Sequence, residues 1–193
     1  MNVRHLTISI GIVLVLVGAF SRADAAQIPL KGTFSGTFVN TQIDTNNDGR
    51  KASLGTRGMK GTFGPATGQA MLEYASPSPG TCLNGHAGVI LTLVPGTGHD
   101  VARLTSTGDL IIGEYTAGAL CVDTSTGIQF FTLTEQVTGG TGRFAEATGS
   151  ITITGTSMRL FADAAGNFFG ASSGTYEGTL ILPKGGNGTE GRD

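Results

Sequence analysis

Apolar residues alternate with small or polar ones along almost the whole chain, as in Ile151-Thr152-Ile153-Thr154. A period of two is typical of a β-strand whose two faces meet different surroundings, and no segment keeps a helical period for ten residues. Clusters of turn-forming residues, such as 76–80 and 95–98, separate the alternating stretches. The pattern therefore predicts an all-β chain with eight to ten strands in sequence order.

The composition excludes several other classes of protein. Glycine contributes 32 of 193 residues without a period of three, which excludes collagen. A hydrophobic share of 39% with a small net charge excludes a disordered chain. Because 12 Lys and Arg face 14 Asp and Glu, no basic surface is present to bind nucleic acid by counterion release. We therefore expect a globular β protein with no nucleic-acid partner.

Strands joined by short turns form an antiparallel meander, and closure into a barrel removes the exposed edges of such a sheet. We predict a single antiparallel up-and-down β-barrel of about eight strands over residues 26–183, with a two-sheet sandwich as the alternative. Residues 32–38 resemble residues 174–180, as neighbouring first and last strands of a barrel would, although a Gly/Thr-rich composition also explains this echo. The predicted strands are 30–39, 52–63, 68–75, 87–94, 100–106, 110–116, 119–123, 128–138, 150–161 and 168–182.

The two ends of the chain are predicted to lie outside the barrel. Residues 8–20 form an apolar run of signal-peptide length, and Ala23-Asp24-Ala25 matches the small-x-small cleavage pattern. A membrane anchor is the alternative, but a span needs about 20 apolar residues. We predict a signal peptide over residues 1–25, a secreted or periplasmic protein without a membrane span after its removal, and a disordered tail over residues 184–193.

An even number of cysteines in an exported chain indicates a disulfide. The two cysteines are Cys82 and Cys121. We predict that they are bonded to each other, and two separate buried thiols are the alternative.

The segment Gly139-Gly140-Thr141-Gly142-Arg143-Phe144-Ala145-Glu146-Ala147-Thr148-Gly149 resembles the turn between two late strands in the allene oxide cyclase and dirigent barrel superfamily. The chain is most similar to exported bacterial relatives with no assigned activity. The resemblance implies an eight-stranded antiparallel barrel, with an aromatic side chain tucked under one end and a hydrophobic cavity that in plant members serves cyclases or guides of radical coupling. In this turn Gly139, Gly140 and Gly142 would allow positive φ, Phe144 would plug the barrel, and Gly149 would restart the strand.

Two other glycine motifs are false matches to cofactor and catalytic sites. The G-x-G-x-x-A run at 140–145 and the G-x-S-x-G run at 170–174 both require a helix to follow, and strand patterns follow instead. Neither nucleotide binding nor serine hydrolase chemistry is predicted.

A polar loop at Asp44-Thr45-Asn46-Asn47-Asp48-Gly49 fits the first half of a calcium-binding loop. Position twelve of that loop is Gly55, where an EF-hand needs a bidentate Glu. We therefore hold two interpretations, a calcium site with ligands Asp44, Asn46 and Asp48, and a polar hairpin loop without a metal. No other cofactor is predicted.

Ionisable residues with apolar neighbours at strand spacing are candidate catalytic groups. Glu135 shares a strand face with Leu133 and Val137, and Glu114 shares one with Leu110 and Ile112. Burial in a barrel would raise the pKa of either carboxyl and suit it to acid catalysis, with Arg103 as a partner. Water-exposed strand ends are the alternative. Three tyrosines are candidate ligand contacts: Tyr74, Tyr115 and Tyr176.

Three functions stay open on the sequence alone. The first is a non-catalytic barrel that holds a small apolar or amphipathic molecule. The second is an isomerase or cyclase, as the resemblance implies. The third is a structural surface protein with a solid core. The ligand and the oligomeric state are not predicted.

Overall fold

A computed structural model describes residues 25–183. The predicted disordered tail (184–193) and all of the predicted signal peptide except Ala25 lie outside the described residues. Within residues 25–183, no helix reaches the length and apolarity that a membrane crossing needs.

The described chain is a ring of eight strand positions occupied by ten strands. Two positions are interrupted, because β3 continues as β4 and β5 continues as β6 in the same direction along their neighbours. Every ladder in the sheet is antiparallel. The strands are β1 (Ala26–Asn40), β2 (Ala52–Gly61), β3 (Gly64–Glu73), β4 (Ser78–Thr81), β5 (Ala87–Thr92), β6 (Gly98–Leu104), β7 (Leu110–Asp123), β8 (Gln129–Gly140), β9 (Thr148–Ala162) and β10 (Phe168–Leu182).

The first and last strands close the barrel. β1 and β10 pair along their whole length, from Ala26 opposite Leu182 to Asn40 opposite Phe168. The echo between residues 32–38 and 174–180 is therefore a direct pairing, in which Phe34 lies opposite Gly174. The predicted all-β barrel of about eight strands is confirmed, and the sandwich is excluded because the sheet is continuous.

Two local predictions of strand structure are wrong. Residues 76–80 are predicted as a turn, yet 78–81 form β4. This edge strand tolerates Pro79 because β5 is its one partner among the described strands. Residues 110–116 and 119–123 were predicted as two strands but are one, because a bulge between Tyr115 and Ala117 bends β7 without ending it.

The two ends of the barrel differ. We call the end formed by residues 62–63, 105–109 and 141–147 the plug end, since the 3₁₀ turn Gly142–Phe144 places the Phe144 ring there with 0% exposure. The Phe63 ring packs edge-on against it at 5.3 Å, and the Arg143 guanidinium lies over both rings. The opposite end, formed by residues 41–51, 82–86, 124–128 and 163–167, is called the mouth end.

The glycines of the turn between β8 and β9 are required for different physical reasons. Gly142 has φ 56°, a backbone conformation that favours glycine. Gly140 was predicted to have positive φ and does not; a Cβ there would instead collide with the Leu110 carbonyl oxygen. Gly139 (φ 148°) and Gly149 (φ 156°) have positive φ.

The predicted disulfide is present. Cys82 lies in the β4–β5 turn and Cys121 lies near the end of β7, and the bond joins them with Cα atoms 5.4 Å apart. It fastens the β4–β5 hairpin to the barrel at the mouth end.

Candidate functional site

The lumen of the barrel holds two cavities, one above the other. The upper cavity is partly open, measures about 90 Å³ and reaches Asn40 and Ser53 at the mouth end. The lower cavity measures about 40 Å³ and reaches Phe63 and Leu104 at the plug end. The large apolar and aromatic residues of the upper cavity are Phe34, Phe38, Leu72, Tyr74, Tyr115, Leu120, Phe131, Leu133 and Ile153.

A partition of three side chains separates these cavities, since Phe34, Arg57 and Ile153 line both. The guanidinium of Arg57 lies 5.8 Å from the centre of the Phe34 ring. The floor of the upper cavity therefore combines an apolar ring with a buried cation.

Arg57 belongs to a buried charge cluster with Asp100, Tyr115 and Glu135. Its Nη2 forms a short ion pair with Asp100 Oδ2, and its Nη1 donates a hydrogen bond of 3.0 Å to the Tyr115 hydroxyl. The Arg57 and Asp100 side chains are only 11% and 4% exposed, and Glu135 is 2% exposed. Two buried atoms in the cluster, Arg57 Nε and Asp100 Oδ1, have no hydrogen-bond partner within residues 25–183.

Two glycines make room for this cluster on the inner wall. Arg57 on β2 lies directly opposite Gly68 on β3, and a Cβ on Gly68 would collide with the Arg57 side chain. Asp100 on β6 lies opposite Gly113 on β7, where a Cβ would collide with the Glu135 carboxyl. Long charged side chains can lie flat across the wall only where the intervening strand carries glycine.

The charges of the cluster follow from its burial. Burial, reinforced by the nearby Asp100 carboxylate, raises the pKa of Glu135 to about 8, so this carboxyl is mostly protonated at neutral pH. Burial by itself lowers the pKa of Arg57, but Asp100 outweighs it and raises that pKa overall. Burial raises the pKa of Tyr115. Burial also raises the pKa of Asp100, against the lowering influence of Arg57. The cluster thus presents the Arg57 cation beside two carboxyls of raised pKa and a neutral phenol.

The structure places the predicted lumen residues unevenly. Glu135, Tyr115 and Tyr176 are buried in the lumen, and Tyr74 lines the upper cavity. Glu114 and Arg103 are exposed on the outer face, so the inward placement is wrong for them and the water-exposed alternative holds. On β7 and β6 the inward faces are Ile111, Gly113, Tyr115 and Asp100, Ala102, Leu104.

Sequence reasoning missed Arg57 and Asp100. Asp100 could have been found, because it shares a face with Ala102 and Leu104. Arg57 gave little signal, since its neighbours at strand spacing are Gly55 and Met59.

The predicted calcium loop is a β1–β2 connection at the mouth end. Asp44 accepts backbone hydrogen bonds from Asp48 (3.1 Å) and Gly49 (2.7 Å), and Asp48 pairs with the Arg50 guanidinium at 2.5 Å. Asn46 donates its amide to Asp48 at 3.2 Å. These contacts build the polar hairpin loop, and the calcium site of Asp44, Asn46 and Asp48 stays a prediction.

No protein-family model matches the chain, and no curated protein matches it in sequence. A solved structure of a pterocarpan synthase dirigent protein matches 84% of this chain and 88% of its own, with 13% identity and a TM-score of 0.38. At this level of similarity the site has to be interpreted from its own geometry.

Proposed function

We propose that the protein binds a small amphipathic molecule in the upper cavity. The observation that carries this proposal is a mainly apolar cavity, open on one side, whose floor contains the buried Arg57 guanidinium hydrogen-bonded to the Tyr115 hydroxyl. Ligand sites are typically apolar pockets with a few convergent polar groups that fix orientation. The cavity also argues against a structural surface protein, whose barrel would be filled by side chains along its whole length.

The size of the cavity limits the part of the ligand that it encloses. A cavity of about 150 Å³ accommodates benzene in a protein core, and the upper cavity is smaller, at about 90 Å³. A short chain or the edge of one ring therefore fits inside, with the remainder of the molecule extending to the mouth end.

The floor selects the polar group of the ligand. Arg57 supplies N–H donors, and the Tyr115 hydroxyl, which accepts from Arg57, keeps its own proton to donate. Both groups suit an oxygen acceptor such as a carbonyl, a phenol oxygen or a carboxylate. Desolvated donors of this kind favour a ligand that satisfies them, because buried polar groups without partners cost free energy.

The alternative is an isomerase or cyclase that uses Glu135 as a general acid. The protonated Glu135 carboxyl supports it, since a carboxyl with a pKa near the working pH is suited to proton transfer. A substrate in the upper cavity would need to displace the partition of Phe34, Arg57 and Ile153 to reach Glu135. Binding without catalysis requires no such displacement and is the function that we favour.

The test begins with the protein purified from its own host, and native mass spectrometry looks for a co-purified small molecule. An anionic apolar fluorophore, 1-anilinonaphthalene-8-sulfonate, then reports cavity occupancy in the emptied protein. Ala70 lines the upper cavity, and Ala70→Phe should abolish the fluorescence gain by filling it. Ala171→Phe, a matched change on the outer face of β10, should leave the gain unchanged; equal gains in both variants contradict cavity binding.

The same ligand separates binding from catalysis. If a bound molecule is identified, Glu135→Gln should bind it with unchanged affinity in the favoured function. Conversion of the molecule by the unmodified protein, lost in Glu135→Gln, would establish the alternative.

We further propose that the protein is exported. The Cys82–Cys121 disulfide supports this, because disulfides persist in oxidising compartments. Amino-terminal sequencing of the protein from its host should begin at Ala26, and a chain that retains residue 1 in the cytoplasm would contradict export.

A further inference from the structure

Exposed large apolar side chains are concentrated at one end of the barrel. Within residues 25–183 eight are exposed, and seven of these lie in mouth-end loops or in the strand ends beside them. The eighth, Ile112, lies near the start of β7 towards the plug end. The seven are Ile43, Leu54, Leu83, Ile128, Met158, Leu160 and Phe161. Scattered surface hydrophobics need no explanation, but a cluster around one opening marks an interaction site.

Part of this cluster is an ordered apolar row on the outer wall. Leu54, Val39, Phe169 and Phe161 are direct partners on four adjacent strands. The Phe161 and Phe169 rings stack at 4.8 Å with an angle of 13°, although Phe161 remains 60% exposed. With Leu160 these side chains line an outer groove of about 390 Å³.

The outer groove adjoins the upper cavity. Phe38 lines both, as do Gly55 and Thr56. The groove and the cavity are therefore separated only by the strand wall of the barrel.

Met158 lies on β9, and the other three members of the cluster project from separate loops. Leu83, 72% exposed, lies in the β4–β5 turn, Ile43 (60%) in the β1–β2 loop and Ile128 in the β7–β8 turn. Protruding side chains on separate loops that surround an opening suit a fluid partner, because each can insert on its own. A rigid protein partner would need complementary pockets for all of them at once.

The charges at this end specify the kind of lipid. Arg50 is paired with Asp48, the Arg159 guanidinium stacks on the Phe168 ring at 4.2 Å, and Lys51 is the other basic side chain there besides His86. The acidic groups at the same end are Asp44, Asp48, Glu73, Asp123 and Asp163. No excess of cations is present among these described residues to attract an anionic membrane surface.

We propose that the mouth end docks on an electrically neutral lipid bilayer, inserting Phe161, Leu160 and the loop residues, and that the ligand passes between the bilayer and the upper cavity. This rests on the proposed function, since it assigns the ligand to the membrane-soluble amphiphiles. Insertion of apolar side chains drives the docking, so it depends little on salt or on anionic lipid.

The absence of Trp from the sequence allows a direct test. A single Trp is introduced at the mouth end (Phe161→Trp) or at the exposed apolar position outside it (Ile112→Trp), and each variant is mixed with phosphatidylcholine vesicles. The expected result is a blue shift of emission at position 161 alone, with co-flotation of both variants. Equal shifts at both positions, or no shift and no co-flotation, overturn the proposal. A shift at 161 that rises with protein concentration before vesicles are added indicates a second copy as the partner and also overturns it.

A second pair of variants separates docking from ligand binding. Replacement of Leu160 and Phe161 by Ser should weaken vesicle binding by at least about tenfold, because two inserted apolar side chains are lost. The fluorophore gain from the upper cavity should be retained in that variant. Vesicle binding that survives this change, or that falls equally with Ile112→Ser, contradicts the docking surface, whereas a failed Ala70→Phe test bears on cavity binding alone.

Discussion

At the scale of single residues, the buried charge cluster depends on two glycines, Gly68 and Gly113, whose lack of a side chain makes room for it. Gly113 and Gly68 leave space over which Glu135 and Arg57 lie flat against the wall. An added methyl group at either position meets a charged or polar group that cannot move into water. A glycine usually weakens the strand that contains it, but these two glycines are needed to accommodate the charge cluster.

We expect Gly113→Ala to destabilise the fold by about 1–3 kcal/mol, as overpacking in a filled core does. The new Cβ displaces the Glu135 carboxyl from its position beside Asp100. Urea unfolding measures the change. Gly58→Ala on β2 is the matched control, because the nearest atom to its Cβ is 3.9 Å away, and a similar loss in both variants would argue against the collision.

The protonation of Glu135 predicts how stability varies with pH. The pKa of Glu135 is about 8 in the folded protein, whereas an unperturbed glutamate, as in the unfolded chain, has a pKa of 4.5. Between these two pH values the folded chain therefore binds one proton more than the unfolded chain. Stability should therefore fall as pH rises from about 4.5 to 8, by up to about 1.4 kcal/mol per pH unit. Denaturant unfolding across this range measures the slope, and Glu135→Gln should flatten it. An unchanged slope in Glu135→Gln would assign the effect to another group.

Residue-scale features of the site were only partly predictable from the sequence. Alternation identified Glu135 because Leu133 and Val137 flank it on a strand with a clear apolar face. The same reasoning failed for Glu114, because Leu110 and Ile112 belong to the outward face of β7. The inward orientation of Arg57 could not be predicted from the sequence, since the glycines around it give no hydrophobic pattern. A polar residue inside a glycine-rich barrel can be located only once the strand register is known.

At the scale of elements, the plug turn and the β4–β5 hairpin close or fasten the two ends. Strand positions were predictable because turn clusters punctuate the alternation. The exceptions are physical: β4 contains a proline that an edge strand tolerates, and β7 passes through a bulge that looks like an end in the sequence.

Removal of the plug side chain should be costly. Phe144 is fully buried against Phe63, so Phe144→Ala is expected to lose about 3–5 kcal/mol of stability. Phe161→Ala, a matched change at a side chain that is 60% exposed, should lose far less. Thermal unfolding compares the two, and an unchanged melting curve for Phe144→Ala would contradict its role as a plug.

The disulfide should stabilise the mouth-end hairpin. Cys82 and Cys121 are 39 residues apart, which corresponds to about 4 kcal/mol in the loop-entropy description. Asp123 ties the same region by accepting hydrogen bonds from Asn84 (2.7 Å) and Ser125 (2.6 Å). We expect the Cys82→Ser, Cys121→Ser variant to unfold at a lower urea concentration than the unmodified protein. Addition of a reductant should lower the unfolding midpoint of the unmodified protein in the same way. Two reactive thiols in denatured, unreduced protein would contradict the bond.

At the scale of the whole molecule, closure follows from a sequence that offers a matching strand at each end. The aromatic Phe34 meets Gly174, and Gly32 meets Tyr176, so each large ring on one strand packs over a glycine on the other. This complementarity could be predicted from the similarity of residues 32–38 and 174–180, whereas the division of the lumen into two cavities could not. That division depends on Phe34, Arg57 and Ile153, which come together only when eight strand positions have been assembled.

A closed ring also predicts where the molecule opens first. β1 and β10 pair over fifteen residues each and bury Leu30 and Leu180, so their amides should exchange only on global unfolding. Among the described strands, β4 pairs with β5 alone, through four residues, so its amides should exchange orders of magnitude faster. Hydrogen exchange followed by mass spectrometry, with the disulfide kept intact so that β4 stays attached, measures both segments in one experiment. If β1 and β10 exchange as fast as β4, the seam between the chain ends is where the barrel opens. The ligand would then have an entry route through the wall rather than through the mouth end.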